Sequence, residues 1–247
     1  QIPIVCVPAS IDNNLPGSEL SIGTDTALNN AVVALDSIKL SAAASHRCFV
    51  AEVMGRKCGY LSLMSGLATG AEKVYLNEEG ITLKGLAVDS ERMVESFRSG
   101  RSLYLVIRNE RASVNYTTDV LAHIFAEEGK DLYDVREAIL GHQQQGGSPT
   151  AFDRIMATKL VAYSLDLLAG AFKRGEPTAS YVGLVEGKVS LHPLDRMNDE
   201  LDREHRRPRH QWWLGLRPAV GLVSQNSGTL KLEDVPDFGE AVDDAAS

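Results

Sequence analysis

The stretch CFVAEVMGRKCGYLSLMSGLA, residues 48–68, decides the fold class. Cys48–Val53 is a short apolar run that predicts a strand. The polar loop Met54-Gly55-Arg56-Lys57-Cys58-Gly59-Tyr60 then opens a helix predicted over Gly59–Ala68, whose Ser, Gly and Ala residues permit close approach to a neighbour. The same unit recurs in both directions. Upstream, an expected strand at Ile4–Val7 precedes an amphipathic helix with Leu28, Ala31, Val32, Leu35 and Ile38 on one stripe. Thr24 and Asp25 stand where a cap and a first-turn acid support its start. Downstream, strands are expected at Lys73–Leu76, Leu103–Ile107, Glu137–Leu140 and Tyr181–Val185. One further helix follows Thr117 and Thr118, with Val120, Leu121, Ile124 and Phe125 in register. Another follows Gly147, with Phe152, Met156, Leu160, Tyr163 and Leu167 on its inner face. Glu186-Gly187-Lys188 reads as a tight turn between Tyr181–Val185 and Val189–His192. Strands alternating with helices define an α/β layer structure with mostly parallel sheets.

The chain has 247 residues, enough for one large domain or two lobes, and 44% hydrophobic with 23% charged residues excludes a wholly disordered chain. A net charge of -8 disfavours nucleic acid as a partner. Any bound anion must therefore meet a local cluster of cations. Cys6, Cys48 and Cys58 cannot all pair and show no zinc spacing, so they read as reduced thiols of an intracellular, cytoplasmic protein. No apolar run approaches the roughly 18 residues of a membrane helix, so no membrane partner is expected. The N-terminal residues lack an initiator Met and read as opening inside a buried strand, so the chain is expected to be an excerpt of something longer. Arg196 to Arg217, with Trp212, Trp213, Leu214 and Leu216, is expected to be a helix on the main body, and residues 228–247 an acidic, mobile tail.

Ligands of open α/β sheets bind beyond the carboxyl ends of the strands. The loop after Val7 runs Pro8-Ala9-Ser10-Ile11-Asp12-Asn13-Asn14 and carries one carboxylate. It either holds a local Asx turn or acts as a general base on a hydroxyl. The loop after Val53 combines free N–H groups of a helix start with Arg56 and Lys57, an anion pocket by geometry and charge. The loop after Leu140, Gly141-His142-Gln143-Gln144-Gln145-Gly146-Gly147, is a third Gly-rich turn, and Arg136 lies in the strand before it. Arg47 starts its own strand, at the opposite end from Arg56 within one subunit. Arg203, Arg206, Arg207 and Arg209 read as a solvated face, and Trp212 and Trp213 as buried anchors. The local patterns imply an α/β protein with a site for a small, multiply phosphorylated ligand.

With these residues laid out, the chain resembles the phosphofructokinase family. The matching segments are PASIDNNLPGSELSIGTDTALN, AEVMGRKCGYLSLMSGLATGAE, RNERASVNYTTD, AILGHQQQGGSPTAFDRIMATKL and EHRRPRHQWWLGLRP. They look most like the C-terminal half of the long, duplicated eukaryotic-type enzymes that use ATP. The resemblance implies that Asp12 is a catalytic base, Ser10 an orienting hydroxyl, and Arg56 the stabiliser of the transferred phosphoryl group. It places Met54, Gly55 and Glu110 on the sugar and Arg136, His142 and Arg206 on phosphate. Arg47 matches an arginine that reaches across a subunit boundary, which implies a homo-oligomer. Asn13 and Asn14, in the Asp12 loop, and Gln145 are likewise expected to contact the substrate or effector. Asn14 stands where a catalytic half has a second acid acting through Mg²⁺, and Gln145 replaces the usual arginine.

Those two departures lean toward a regulatory half that binds fructose 2,6-bisphosphate, whereas Asp12 and Arg56 keep the catalytic pattern. The implied activity is 6-phosphofructokinase in glycolysis, with ATP-Mg²⁺ and fructose 6-phosphate as substrates. The GGDG loop that holds the donor is absent from this chain. ATP and Mg²⁺ therefore need residues outside it, the chain alone is not expected to turn over, and no metal ligand is assigned. The implied architecture is a two-lobed fold whose first lobe is incomplete here. Residues 1–22 end the first lobe, 23–142 form the second, 143–195 return, 196–227 extend it and 228–247 form the tail. Arg47, Arg56, Arg136, Arg206 and His142 are expected to converge on one sugar phosphate between lobes or neighbouring subunits, alongside the remaining phosphofructokinase segments.

Overall fold

A computed structural model describes residues 2–42 and 45–223. Residues 224–247, which hold the end of the expected extension and the acidic tail, lie outside the described residues.

Two sheets organise the chain. In the first, β1 (Ile4–Cys6) pairs in parallel with β6 (Ala179–Val185), which turns back antiparallel to β7 (Lys188–Pro193). The β6–β7 hairpin closes on Glu186 and Gly187 at φ 50° and 73°, the two positive values its two-residue turn demands. In the second sheet β2 (Arg47–Val53), β3 (Lys73–Tyr75), β4 (Leu103–Asn109) and β5 (Asp134–Ile139) run all parallel in the order β3-β4-β2-β5. The helices are α1 (Thr24–Ala42), α2 (Tyr60–Thr69), α3 (Leu83–Arg98), α4 (Thr118–Gly129) and α5 (Ala151–Arg174).

Alternation along β2 shows how the second sheet is buried. Phe49, Ala51 and Val53 face α1 and α2, in a core with Ala27, Ala31, Leu35, Leu61 and Leu63. Cys48 and Val50 face α3 and α4, against Leu86, Met93, Phe97, Leu121 and Phe125. Period-two burial on both faces requires helices on both sides, and the chain supplies them.

The structure departs from the sequence reading in several places. Helix α3 was not expected. Its buried stripe has only Leu86, Met93 and Phe97 as large apolar residues, set in a polar segment, and Thr82 caps it by accepting the Gly85 N–H at 3.1 Å. β5 starts three residues earlier than expected, because Asp134 and Val135 pair with Arg47 and Cys48 of β2. The strand expected at Ile4–Val7 is present as β1, at the edge of its sheet among the described residues, with Ile4 half exposed. Residues 196–217 are not one helix. They form the short α6 (Met197–Glu200), a hairpin of β8 (Leu201–Asp202) and β9 (Arg207–Pro208), a 3-10 turn at Trp212–Leu216, and the start of α7 (Arg217–Val223). Pro208 and the positive φ of Arg206, 55°, forbid a continuous helix. Trp213 is buried edge-to-face against Tyr60, centroids 5.9 Å apart, and anchors this extension to α2.

α5 has 24 residues and is apolar enough by length and composition to cross a membrane. The sequence reading missed this because Lys159 and Asp166 interrupt the run. Here Met156 and Leu160 pack on Val182 and Leu184 of β6. Its first turn is tied to α1, where the buried Asp153 accepts N–H bonds from Gly23 at 2.9 Å and Thr26 at 2.8 Å.

Candidate functional site

The loop after β1 holds Asp12 through its neighbours. Ser10 Oγ accepts the Asp12 N–H at 3.2 Å and donates to Asn14 Oδ1 at 2.6 Å. Asn13 is buried at φ 53°, donating to the Glu19 carbonyl at 2.9 Å and accepting the Ser21 N–H at 2.9 Å. The Asx-turn alternative for Asp12 is therefore excluded, since Ser10 makes the local turn. Asp12 is 7% exposed, and its carboxylate accepts no hydrogen bond among the described residues. Burial pushes its pKa above the ordinary carboxylate value, Arg56 opposes that rise, and Glu110 adds to it.

The loop after β2 is held at its first three main-chain donors. Gln144 Oε1 accepts the Met54 N–H at 2.8 Å. Glu110 Oε1 accepts the N–H groups of Arg56 at 2.7 Å and Gly55 at 3.3 Å. Gly55 sits at φ 138°, and a Cβ there would lie 2.4 Å from the Cys58 carbonyl oxygen. Arg56 itself sits at φ 46°, an unusual place for a side-chain-bearing residue. The expected anion pocket at the start of α2 is not open. Glu78 occupies it, accepting the Gly59 N–H through both oxygens at 3.0 and 3.1 Å, and Lys57 Nζ donates to the Glu204 carbonyl at 3.0 Å.

The third loop is a 3-10 turn over Gly141–Gln145. His142 and Gln145 are exposed and bonded to each other, Nδ1 to Oε1 at 2.9 Å. Gln144 is buried and its Nε2 has no partner. The buried Arg108 shapes the Glu110 segment by donating to the carbonyls of Glu110 at 3.2 Å, Ser113 at 2.6 Å and Tyr116 at 3.0 Å.

Asp12, after the first sheet's β1, is thus near enough to Arg56 and Glu110, which follow β2 and β4 of the second, for their charges to move its pKa in opposite senses, though no ion pair joins it to Arg56. Gln144 brings the His142 turn against the same loop. Arg206 is exposed at the turn of the β8–β9 hairpin, whose Glu204 and Arg207 touch Lys57. Arg47 and Arg136 do not join this cluster within one chain. Register pairs Phe49 with Arg136 and Arg47 with Asp134, so Arg136 lies about 10 Å and Arg47 about 20 Å below the strand ends. Arg136 is exposed on the edge strand and donates to the Val135 carbonyl at 3.1 Å, while Arg47 Nε is buried without a partner.

Sequence reasoning missed Gln144, Glu78, Asp153 and Arg207. Each is a polar residue whose partner lies far along the chain, and only the Gln-rich run around Gln144 carried any local signal. The family-implied magnesium does not fit the residues present. Glu110 is committed to main-chain N–H groups, Asn14 to Ser10, and Asp12 stands alone; no cluster of three or more acidic, His or Cys side chains gathers among the described residues.

A parallel sheet with helices on both faces, a mixed sheet beside it, and Asp12, Arg56 and Glu110 on loops that follow their strands define an α/β protein with a candidate ligand site at strand termini. The family profile described as Phosphofructokinase matches residues 1–168. The chain belongs to the phosphofructokinase family. It is 45% identical over 236 residues to the ATP-dependent 6-phosphofructokinase of Dictyostelium discoideum, covering 95% of this chain and 28% of that protein. It is 41% identical over 244 residues to the muscle-type enzyme of Mus musculus, covering 94% of this chain and 31% of the relative. The solved phosphofructokinase of Saccharomyces cerevisiae superposes with a TM-score of 0.86 at 35% identity, over 90% of this chain and 31% of that one. The chain therefore spans less than a third of the length of these relatives.

Proposed function

We propose that this chain is the sugar-phosphate-binding part of an ATP-dependent 6-phosphofructokinase of the duplicated eukaryotic type, from its C-terminal half. The observation that carries the reading is Asp12, a buried residue whose carboxylate accepts no hydrogen bond among the described residues and feels the charge of Arg56. A carboxylate whose pKa is raised by burial is a stronger base than a solvated one. It takes the proton as the C1 hydroxyl oxygen of fructose 6-phosphate bonds to the γ-phosphorus of ATP and the bond to ADP breaks. Arg56 meets the charge on the moving phosphoryl group, and Ser10 and the Asn13-Asn14 turn hold Asp12 in place. Met54, Gly55 and Glu110 face the sugar, with His142, Gln145 and Arg206 at its phosphate. Arg47 and Arg136, remote within one chain, serve a site completed by a neighbouring subunit of a homo-oligomer. ATP and Mg²⁺ are held by segments outside this chain, in a cytoplasmic, glycolytic enzyme.

One observation favours a second reading. Asn14 and Gln145 are neutral and already bonded, to Ser10 and His142, which suits an effector site for fructose 2,6-bisphosphate more than a metal-assisted one. Asp12→Ser in the full-length enzyme separates the two. Turnover lost at saturating fructose 6-phosphate supports catalysis here. Turnover kept with activation lost supports the effector site.

A further inference from the structure

Arg207 lies in none of the sites assigned above, and its run of arginines reads from sequence as a solvated face. The structure draws it into contact with the Arg56 loop instead, partly buried. Its side chain is 13% exposed and that of its ion-pair partner Glu78 is 7% exposed, with 3.0 Å between Nη1 and Oε1. The same nitrogen donates to the Lys57 carbonyl at 2.6 Å and to Asn77 Oδ1 at 3.0 Å. Glu78 in turn holds the Gly59 N–H and accepts from Gln211 Nε2 at 2.9 Å. Lys57 Nζ returns the contact by donating to the Glu204 carbonyl of the same hairpin at 3.0 Å. The β8–β9 hairpin thus grips the loop at Lys57 and Gly59, on the far side of Arg56 from Glu110.

Arg56 needs that grip. Its backbone lies in the left-handed region, which a non-glycine residue keeps only where its surroundings over-determine it. Glu110 fixes the N–H on the entering side. On the leaving side the next carbonyl, that of Lys57, is fixed by Arg207.

We infer that Arg207 is a positioning residue for sugar-phosphate binding, acting through the Lys57 carbonyl and Glu78 to hold Arg56 in its left-handed conformation. The inference rests on the reading of Arg56 as a sugar-phosphate contact. The C-terminal extension, on this view, controls the ligand loop rather than only covering α2.

The test uses the full-length polypeptide that contains this chain, with Arg207→Ala, Arg207→Lys, Arg56→Ala and the Arg56→Ala/Arg207→Ala double variant. Fructose 6-phosphate and fructose 2,6-bisphosphate are titrated into each by calorimetry. Arg207→Ala is expected to weaken binding about tenfold alone and less than about twofold on the Arg56→Ala background, the mark of coupled residues. Arg207→Lys is expected to weaken binding at least several-fold, because an ammonium keeps the charge but sits on a shorter side chain that does not reach the place where the three acceptors converge on Nη1. It carries the comparison if Arg207→Ala fails to fold. Equal losses on both backgrounds would overturn the inference, since a merely structural role adds independently. So would wild-type affinity in a folded Arg207 variant while Arg56→Ala weakens binding, which removes the positioning role and leaves the site. Unchanged binding in Arg56→Ala removes both.

Discussion

The Glu110 carboxylate accepts the Arg56 main-chain N–H at 2.7 Å, so the acid and the guanidinium-bearing residue on facing loops are joined through backbone. The charge of Arg56 is left for other partners, and both residues act on Asp12 in opposite senses. Burial raises the Asp12 pKa, Arg56 lowers it and Glu110 raises it further. That opposition supplies a test of the site's electrostatics.

Glu110→Gln removes a charge that raises the Asp12 pKa, so the acidic limb of kcat/KM against pH moves to lower pH. Arg56→Met removes the charge that lowers it, so the limb moves to higher pH. Initial rates of the full-length enzyme across pH 4–8, a window of ~4 units around the carboxylate range, check the two directions. Shifts of the same sign in both variants would break the assignment of Asp12 as the titrating base.

Asp12→Asn is expected to lower turnover by ~10²-fold or more while leaving sugar-phosphate affinity within a few-fold. It is also expected to stabilise the fold near neutrality. An acid with a raised folded-state pKa binds more protons folded than unfolded between its ordinary and raised values, so wild-type stability falls as pH rises through that window. Replacing Asp12 removes that loss at neutral pH and changes nothing once pH drops below the ordinary carboxylate value. Thermal midpoints should differ by on the order of 2 °C at pH 7 and coincide near pH 3.5, about the lower end of the carboxylate range.

Gly55→Ala places a methyl 2.4 Å from the Cys58 carbonyl oxygen at a φ of 138°. Strain of about 1–3 kcal/mol is expected, read as a lower urea midpoint. Fructose 6-phosphate affinity should fall with it, because the same shift moves Arg56. A variant with wild-type midpoint would show that the loop has room the geometry denies.

Trp213→Ala should cost about 3–5 kcal/mol, since a buried indole packed against Tyr60 leaves a cavity. Trp212, 40% exposed, should cost far less on truncation. Chemical denaturation of the two variants side by side gives the comparison, and equal losses would refute the anchoring role of Trp213.

Most elements were legible because their signals are local. The apolar run at Cys48–Val53, the stripe Leu28-Ala31-Leu35 and the Glu186-Gly187 turn each fit one backbone period or one turn type, and all three occur as read. Helix α3 was missed because Asp89 and Ser90 interrupt its buried stripe between Leu86 and Met93. The extension after Arg196 was misread because its charges and tryptophans suggested a helix that Pro208 and the Arg206 backbone forbid.

Within the chain alone were written the α/β class, the family resemblance, and the loops in which Ser10, Asp12, Arg56, Glu110 and His142 stand. Those follow from short-range patterning of apolar, polar and turn-forming residues. Folding alone settled which donors are spent and which are free. Glu78 fills the helix start that looked open, Gln144 rather than Gln145 reaches the Met54 N–H, and Arg207 is drawn in from an apparently solvated run. The Gln144 and Arg207 contacts join residues about 90 and 130 positions apart, and such a bond leaves no period or spacing in the sequence. It exists only once two sheets and an extension have packed, and it then decides how the Arg56 loop is held.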